Sequence, residues 1–356
     1  MRSLRFGLSG GLVLAAAALL AGCAALQSST SASGALPQSG NATPLRLQRD
    51  AALAVPHYVQ RSVHPDHGSS WMLPQGTGGK SALIYVGDDS TNDVYVYDYK
   101  SGKSVGTLTG FDGPYGECVD AKGDVYIANF DAGNAVEYAH GGTETINTFD
   151  SGGTPIGCSV DSKGDVAVTS FDPGEVTVFA GGDPSKGTTY TGSCTYVWTM
   201  GYDSRGNLIG VGETSSGGRC YAGLLSGGKS MSSLSFSGTI DFPGGTMWDG
   251  KYIALGDQEA DGTFDTGMIQ ATLSGSTLTS HGETILTCNG SAYTDAVNPF
   301  IVGKKNTPIN DRQAKVVVDS CSEGGIGLWH YPKGGNPFKN IGIGDEPYGI
   351  AVSLGR

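Results

Sequence analysis

The stretch GPYGECVDAKGDVYIANFDAG, residues 113–133, decides how the rest of the chain is read. Apolar positions such as Val125 and Ile127 alternate with polar ones, and Gly/Asp turns interrupt them at DAKGD, 120–124, and at FDAG, 130–133. That is the chemistry of short strands joined by tight hairpins. The unit returns as TPIGCSVDSKGDVAVTSFDPG, 154–174, as TYVWTMGYDSRGNLIGVGE, 195–213, and as PGGTMWDGKYIALGD, 243–257. The turn glycines Gly123, Gly164, Gly206 and Gly250 are spaced by 41, 42 and 44 residues. A looser copy runs from about 289 to 344, with AKVVVDS and GIGLWHYP as its middle strands. Four antiparallel strands recurring at this period are the signature of a propeller blade.

The two ends of the repeat region complete the count. SALIYVGDDSTNDVYVYDYKSGKSVGTLTG, 81–110, has the second, third and fourth strands of a blade and lacks an opening strand, while EPYGIAVSLGR, 346–356, is an opening strand without a blade. Joined, they close a ring and remove the open edges that invite aggregation. The expected fold is all-β: a six-bladed β-propeller of four-stranded antiparallel blades, closed by the C-terminal strand pairing with the N-terminal blade. Its 58 glycines and low charged fraction of 16% fit many short strands and tight turns.

The residues before the ring read as address and tether. Arg2 and Arg5 precede an apolar run, Gly11–Leu20, too short to span a bilayer as a mature helix, so 1–22 reads as a signal peptide. Leu20-Ala21-Gly22-Cys23 resembles the bacterial lipobox, which implies acylation of Cys23, a membrane anchor and, with Ala24 following, an outer-membrane destination. Residues 23–50 read as the lipidated cysteine and a flexible Ser/Ala/Gly/Pro tether, 51–80 as an irregular segment before the propeller, and 81–356 as the propeller. His64, Asp66 and His67, clustered around Pro65, read as irregular surface rather than a metal site.

The ring region resembles the NHL-repeat propellers and, more distantly, the six-bladed senescence-marker-protein/gluconolactonase group. The resemblance rests on the P-x-G-x-x-V-D-x-x-G-(D/N)-V-Y-(I/V) units at 114–127 and 155–168, with weaker copies at 197–211 and 243–255. It implies that the connections between blades and between second and third strands share the face where such propellers usually act. Aligned on Asp120, Asp161, Asp203 and Asp249, the residues Tyr115, Trp198, Tyr293 and Tyr348 fall beside the channel mouth on that face, either as a ligand-binding rim or as packing around the axis. Two residues further in lie Glu117 and Asp295, the pair an acid–base mechanism would use.

The same face collects Asp88, Asp89, Asp93, Asp131, Asp172, Glu175, Asp319 and Glu323. Within GDQEADGTFD, Asp257, Glu259, Asp261 and Asp265 stand at positions 1, 3, 5 and 9 around Gly262, the spacing of a calcium loop, with a solvated acidic hairpin as the alternative. Against catalysis, the E-x-P-x-W opening of gluconolactonases is absent, because Glu346 directly precedes Pro347, and no G-x-S-x-G nucleophile motif occurs. His140, His281 and His330 fall in or after outer strands. The sequence therefore points to a lipid-anchored extracytoplasmic binding or scaffolding module, with a protein or small molecule on its acidic loop face. The alternative is a divalent-metal-dependent, lactonase-like hydrolase or lyase at the channel mouth. With 22 basic against 34 acidic residues and a net charge of -12, nucleic acid is excluded as a partner.

Six cysteines follow Cys23, an even number suited to disulfides beyond an export signal. Cys194 with Cys220 and Cys288 with Cys321 fall toward one face within single blades and are expected to pair. Cys118 and Cys158 sit one residue out of step on neighbouring inner strands, hence on opposite strand faces, and are expected to be reduced.

Overall fold

A computed structural model describes residues 68–77, 80–260, 262, 265–288, 298–303, 316–321, 325–342 and 347–355. Six antiparallel sheets form a ring, each running from an inner strand at the axis to an outer strand at the rim. Blade one consists of Pro347–Ser353, Leu83–Asp88, Asp93–Asp98 and Ser104–Leu108. Blade two spans Pro114–Val119 to Thr145–Asp150, and blade three spans Pro155–Val160 to Gly187–Thr191. Blades four, five and six begin at Tyr196–Val197, Pro243–Trp248 and Phe300–Val302.

Ring closure follows the sequence expectation. Leu83–Asp88 pairs on one side with Asp93–Asp98 and on the other with the C-terminal strand, Leu83 opposite Ser353 and Gly87 opposite Gly349. The second strands Leu83–Asp88, Val125–Asn129, Val166–Ser170 and Leu208–Glu213 are buried along their whole length, because each blade is stacked on both faces. Outer strands are wetter, as in Gly187–Thr191.

The repeated aspartate explains the repeated hairpin. Asp120 Oδ1 accepts the backbone N–H of Lys122 at 2.8 Å and of Asp124 at 2.9 Å, and Asp161 and Asp203 do the same for the residues two and four further on. Asp249 caps a shorter version through Lys251 and Tyr252. A side-chain oxygen thus satisfies turn amides that no strand can reach. Gly123, Gly164 and Gly206 follow with φ of 91, 85 and 77°, a conformation that a Cβ disfavours.

Residues 68–77, expected to be irregular, join the propeller instead. Trp71–Met72 adds a fifth strand to blade one, pairing with Thr107 and Gly106, and covers an otherwise open edge. Blade four also departs from the repeat: without a Pro-x-Gly opening its inner strand splits into Tyr196–Val197 and Gly201–Tyr202. Ser235–Phe236 then pairs in parallel with Thr277 and Leu278 of blade five.

Three disulfides are present. Cys194–Cys220 lies within blade four and Cys288–Cys321 within blade six, as expected. Cys118 and Cys158, expected to be reduced, are bonded across blades two and three, with a Cα separation of 5.6 Å. Their offset does place them on opposite faces of equivalent strands. Stacked blades, however, meet by opposite faces, so the offset brings the sulfurs together rather than apart. Three disulfides fit an oxidising, extracytoplasmic environment. Among the described residues no helix is long and apolar enough to cross a membrane.

Candidate functional site

The axis is narrow because the Pro-x-Gly openings carry no side chain there. A Cβ on Gly116 would collide with the Ile156 carbonyl, and one on Gly157 with the Thr199 hydroxyl. Where the motif is lost, polar side chains fill the space. Asn298 of blade six donates through Nδ2 to the carbonyls of Tyr115, 3.1 Å, and Ile156, 3.2 Å, while its Oδ1 accepts the Thr199 hydroxyl. One side chain thereby ties the inner strands of blades two, three and four to blade six. Beneath it remains a cavity of about 50 Å³ lined by Glu117, the Cys118–Cys158 disulfide, Thr199, Thr246 and Asn298. That is room for a few waters, well below the roughly 300–1,000 Å³ of a drug-sized site.

Glu117 is placed by glycine on the neighbouring blade. Gly87 and Gly349 face each other across the blade-one ladder, and a Cβ on Gly87 would lie 2.7 Å from Glu117 Oε1. A Cβ on Gly349 would overlap Glu117 Oε2. The carboxyl therefore occupies a slot that only this glycine pair leaves open. Burial pushes it well above the ordinary carboxylate range, and the Gly87 backbone N–H tempers the shift without a well-aligned hydrogen bond. Thr246 Oγ1, on the same cavity, is likewise buried without a partner.

At the mouth, Tyr115 stacks on Tyr348 at 4.7 Å and meets Phe130 at 4.7 Å. Across the mouth, Phe171 stacks on Tyr196, and Trp198 makes edge contacts with Phe171 and Phe242. Trp198 and Tyr348 are buried; Tyr115, Phe130, Phe171 and Tyr196 keep part of their surface. Arg219 lies over Phe242 and pairs with Glu213. The aromatics are thus a packed collar with a partly exposed upper edge.

The acids of this face divide by role. Asp88 accepts Ser90 Oγ and the Thr91 N–H, and Asp319 accepts the Thr266 hydroxyl, as buried parts of the framework. Asp89, Asp131, Asp172, Glu175, Glu259 and Asp265 retain exposure. Asp257, first position of the calcium-like spacing, is buried and accepts the backbone N–H of Asp241, Phe242 and Glu259 at 2.8–3.0 Å. Desolvation raises its carboxyl above the usual range, and the Phe242, Asp241 and Glu259 amides oppose that. The first four positions of that spacing fall at the end of strand Ile253–Ala260, whose ladder shifts register between Asp257 and Ala260. No group of three metal-ligating side chains occurs among the described residues.

Tyr293, Asp295, Asp261, Glu323 and Cys23 lie outside the described residues. The inner strand of blade six is Phe300–Val302, however, and its pairing with Val316–Val318 gives Phe300 the place aligned to Glu117. Asn298, Thr199 and Thr246, the polar contacts of the axis, were not singled out by sequence. The only signal is a negative one, loss of glycine at the Pro-x-Gly position, as in Thr199.

No family model matches the chain, and no curated protein does. Solved structures do. The nidogen/laminin complex gives a TM-score of 0.58 at 12% identity, covering 77% of this chain and 98% of that one. Hydrazine synthase of Kuenenia stuttgartiensis gives 0.52 at 14% identity, covering 78% and 80%. The likeness is one of fold. A streptogramin B lyase structure scores 0.42 at 13% identity, covering 71% of this chain and 74% of that one.

Proposed function

We propose that the protein is a lipid-anchored, extracytoplasmic propeller that acts as a binding or scaffolding module, engaging a partner on its acidic loop face. The observation that carries this reading is the bridged axis: among the described residues Asn298 spans it, and the cavity below it holds about 50 Å³. Among the described residues, the upper edge of the aromatic collar stays accessible, with partly or fully exposed Asp89, Asp131 and Asp172 on the same face. Half-exposed aromatics beside carboxylates suit a basic protein surface or a cationic small molecule. Of the fold neighbours, one is named as a complex of nidogen with laminin and one as an enzyme, so the fold accommodates either role.

The lipid anchor is Cys23, joined to the ring by the tether, and the outer membrane is the proposed destination. Cys23→Ser is expected to release the protein from membrane fractions or leave its precursor uncleaved; unchanged partition and processing contradict anchoring. A photo-reactive residue at Asp131 should cross-link a partner in native membranes, and one at Lys163, on the opposite face, should not. Equal cross-linking from both positions, or from Lys163 alone, contradicts the loop-face reading.

A second reading, a divalent-metal-dependent hydrolase or lyase, draws on one observation: Glu117 is a buried carboxyl on the axial cavity whose pKa desolvation raises well above the ordinary range. A lactone-hydrolysing activity lost in Glu117→Gln with folding intact would favour it.

A further inference from the structure

The four capped inner hairpins share more than their aspartate. Two residues after each cap stands a cation: Lys122, Lys163, Arg205 and Lys251. Each hairpin joins a first to a second strand, so all four cations lie on the face opposite the acidic loops. All four are exposed, whereas the capping aspartates are buried. In a chain of net charge -12, this face therefore presents cations.

Between blades four and five the feature coincides with a cavity of about 260 Å³, bordered by Arg205 and Lys251. Its inner walls are the side chains of Ile209, Ile253 and Leu273, with half-buried Trp248 at the side. Ser204 and Thr272 contribute hydroxyls, and Thr272 Oγ1 shares a hydrogen bond of 2.8 Å with His281. Arg205 is fixed across the seam: its Nη2 donates to the Leu273 carbonyl at 2.7 Å and its Nε to Asp203 Oδ2 at 3.3 Å. Asp203, which also lines the cavity, and Asp249, the buried cap of the Lys251 hairpin, balance the two positive charges, so the site offers two placed cationic groups rather than a net positive charge. Lys251 Nζ lies 4.4 Å from the Tyr252 ring centroid.

A preset guanidinium, an exposed ammonium and apolar walls form a complementary site for one anionic head on an apolar body. The cavity lies just below the volume of drug-sized sites, which sets the ligand's scale. The remaining cations are one per blade, and Lys122 lies 3.8 Å from its own Asp120, an arrangement unsuited to neutralising a run of phosphates.

We propose that the groove between blades four and five binds a small amphipathic anion, its carboxylate or phosphate on Arg205 and Lys251 and its apolar body against Trp248, Ile253 and Leu273. Phenyl phosphate is a suitable probe, titrated calorimetrically and by tryptophan fluorescence into the full chain. The expected result is saturable binding with a fluorescence change absent in Trp248→Phe. Affinity should fall about tenfold in Lys251→Gln, the loss of one charge-assisted contact. Inorganic phosphate, which has the head without the body, should bind at least about tenfold more weakly. Lys251 is exposed, so its substitution leaves folding intact; Arg205→Gln, which also removes the clamp to Leu273, is read only alongside its melting curve. Absence of saturable binding, equal affinity for inorganic phosphate, an unaffected Lys251→Gln variant, or association only with anionic vesicles overturns the proposal.

Discussion

Blades two and three differ from blades four and six in a single structural habit, and the difference sets the bore of the ring. In the first pair the Pro-x-Gly opening is intact, and Gly116 and Gly157 let neighbouring backbone and side chains reach the axis. In the second pair the motif is missing, and Thr199 and Asn298 project into the space so created, hydrogen-bonded to each other and to the glycine-bearing strands. The repeat makes room, and its violations fill it. The intact units draw neighbouring inner strands close at the axis, and the imperfect units bridge it with polar side chains.

That contrast can be broken at several points. The largest effect should come from removing residues 347–355, which deprives Leu83–Asp88 of its inner partner and opens the ring. Cooperative thermal unfolding should be lost or replaced by aggregation; a truncation as stable as the parent chain would mean that closure is dispensable. Next, Gly116→Val should cost about 3 kcal/mol or more in denaturant unfolding, because its Cβ meets the Ile156 backbone, which cannot swing aside. Gly164→Ala, in an open turn, should cost less, about 1 kcal/mol from its positive φ alone. Equal losses would show that the close approach at the axis is not what the motif glycine serves.

Replacing Cys118 and Cys158 together by serine should lower stability by about 2–4 kcal/mol, since the bridge closes a 40-residue separation between two blades. Non-reducing peptide maps should recover this linkage beside Cys194–Cys220 and Cys288–Cys321. The smallest effect concerns Glu117. Its carboxyl is raised in the folded state, so the folded form holds the proton more tightly than the unfolded chain. Its contribution is fully present below the unfolded value of about 4.3 and is lost as pH rises through the folded value. Over that window stability should fall by at most about 1.4 kcal/mol per pH unit from this group. Glu117→Gln should flatten the slope while preserving the fold; an unchanged pH profile would place the titration elsewhere.

How much of this was legible in the sequence follows the same division. The Asp-x-(Lys/Arg)-Gly turns gave the blades their period because one side chain caps each hairpin by local hydrogen bonds, and local chemistry is what a sequence displays. The closing strand was legible because EPYGIAVSLGR is a motif copy. Blade six was legible in its middle strands, Val316–Cys321 and Gly325–His330, but not in its opening strand: without that turn the copy was aligned on Tyr293 and Asp295, whereas among the described residues the ladder begins at Phe300. The Cys118–Cys158 bond was missed for a different reason: the offset was right, but which faces meet is decided between blades, not within a strand. Asn298 was invisible because its three partners come from blades more than 90 residues away in sequence. Asp257 stood out by its spacing, whereas its role in accepting three backbone amides depends on Asp241 and Phe242, fifteen or more residues away in sequence.

The most direct test sets the axis against the loop face in one assay, capture of a partner protein from native membranes. Asn298→Ala and Glu117→Gln disturb the axis, whereas Asp131→Lys with Asp172→Lys reverses charge on the accessible face. If the axis is a structural plug, the axial variants, assayed below their melting temperatures, should capture the same protein as the parent chain, and the charge-reversed variant should lose it. Capture that fails in the folded axial variants and survives charge reversal would contradict that claim and place recognition inside the channel.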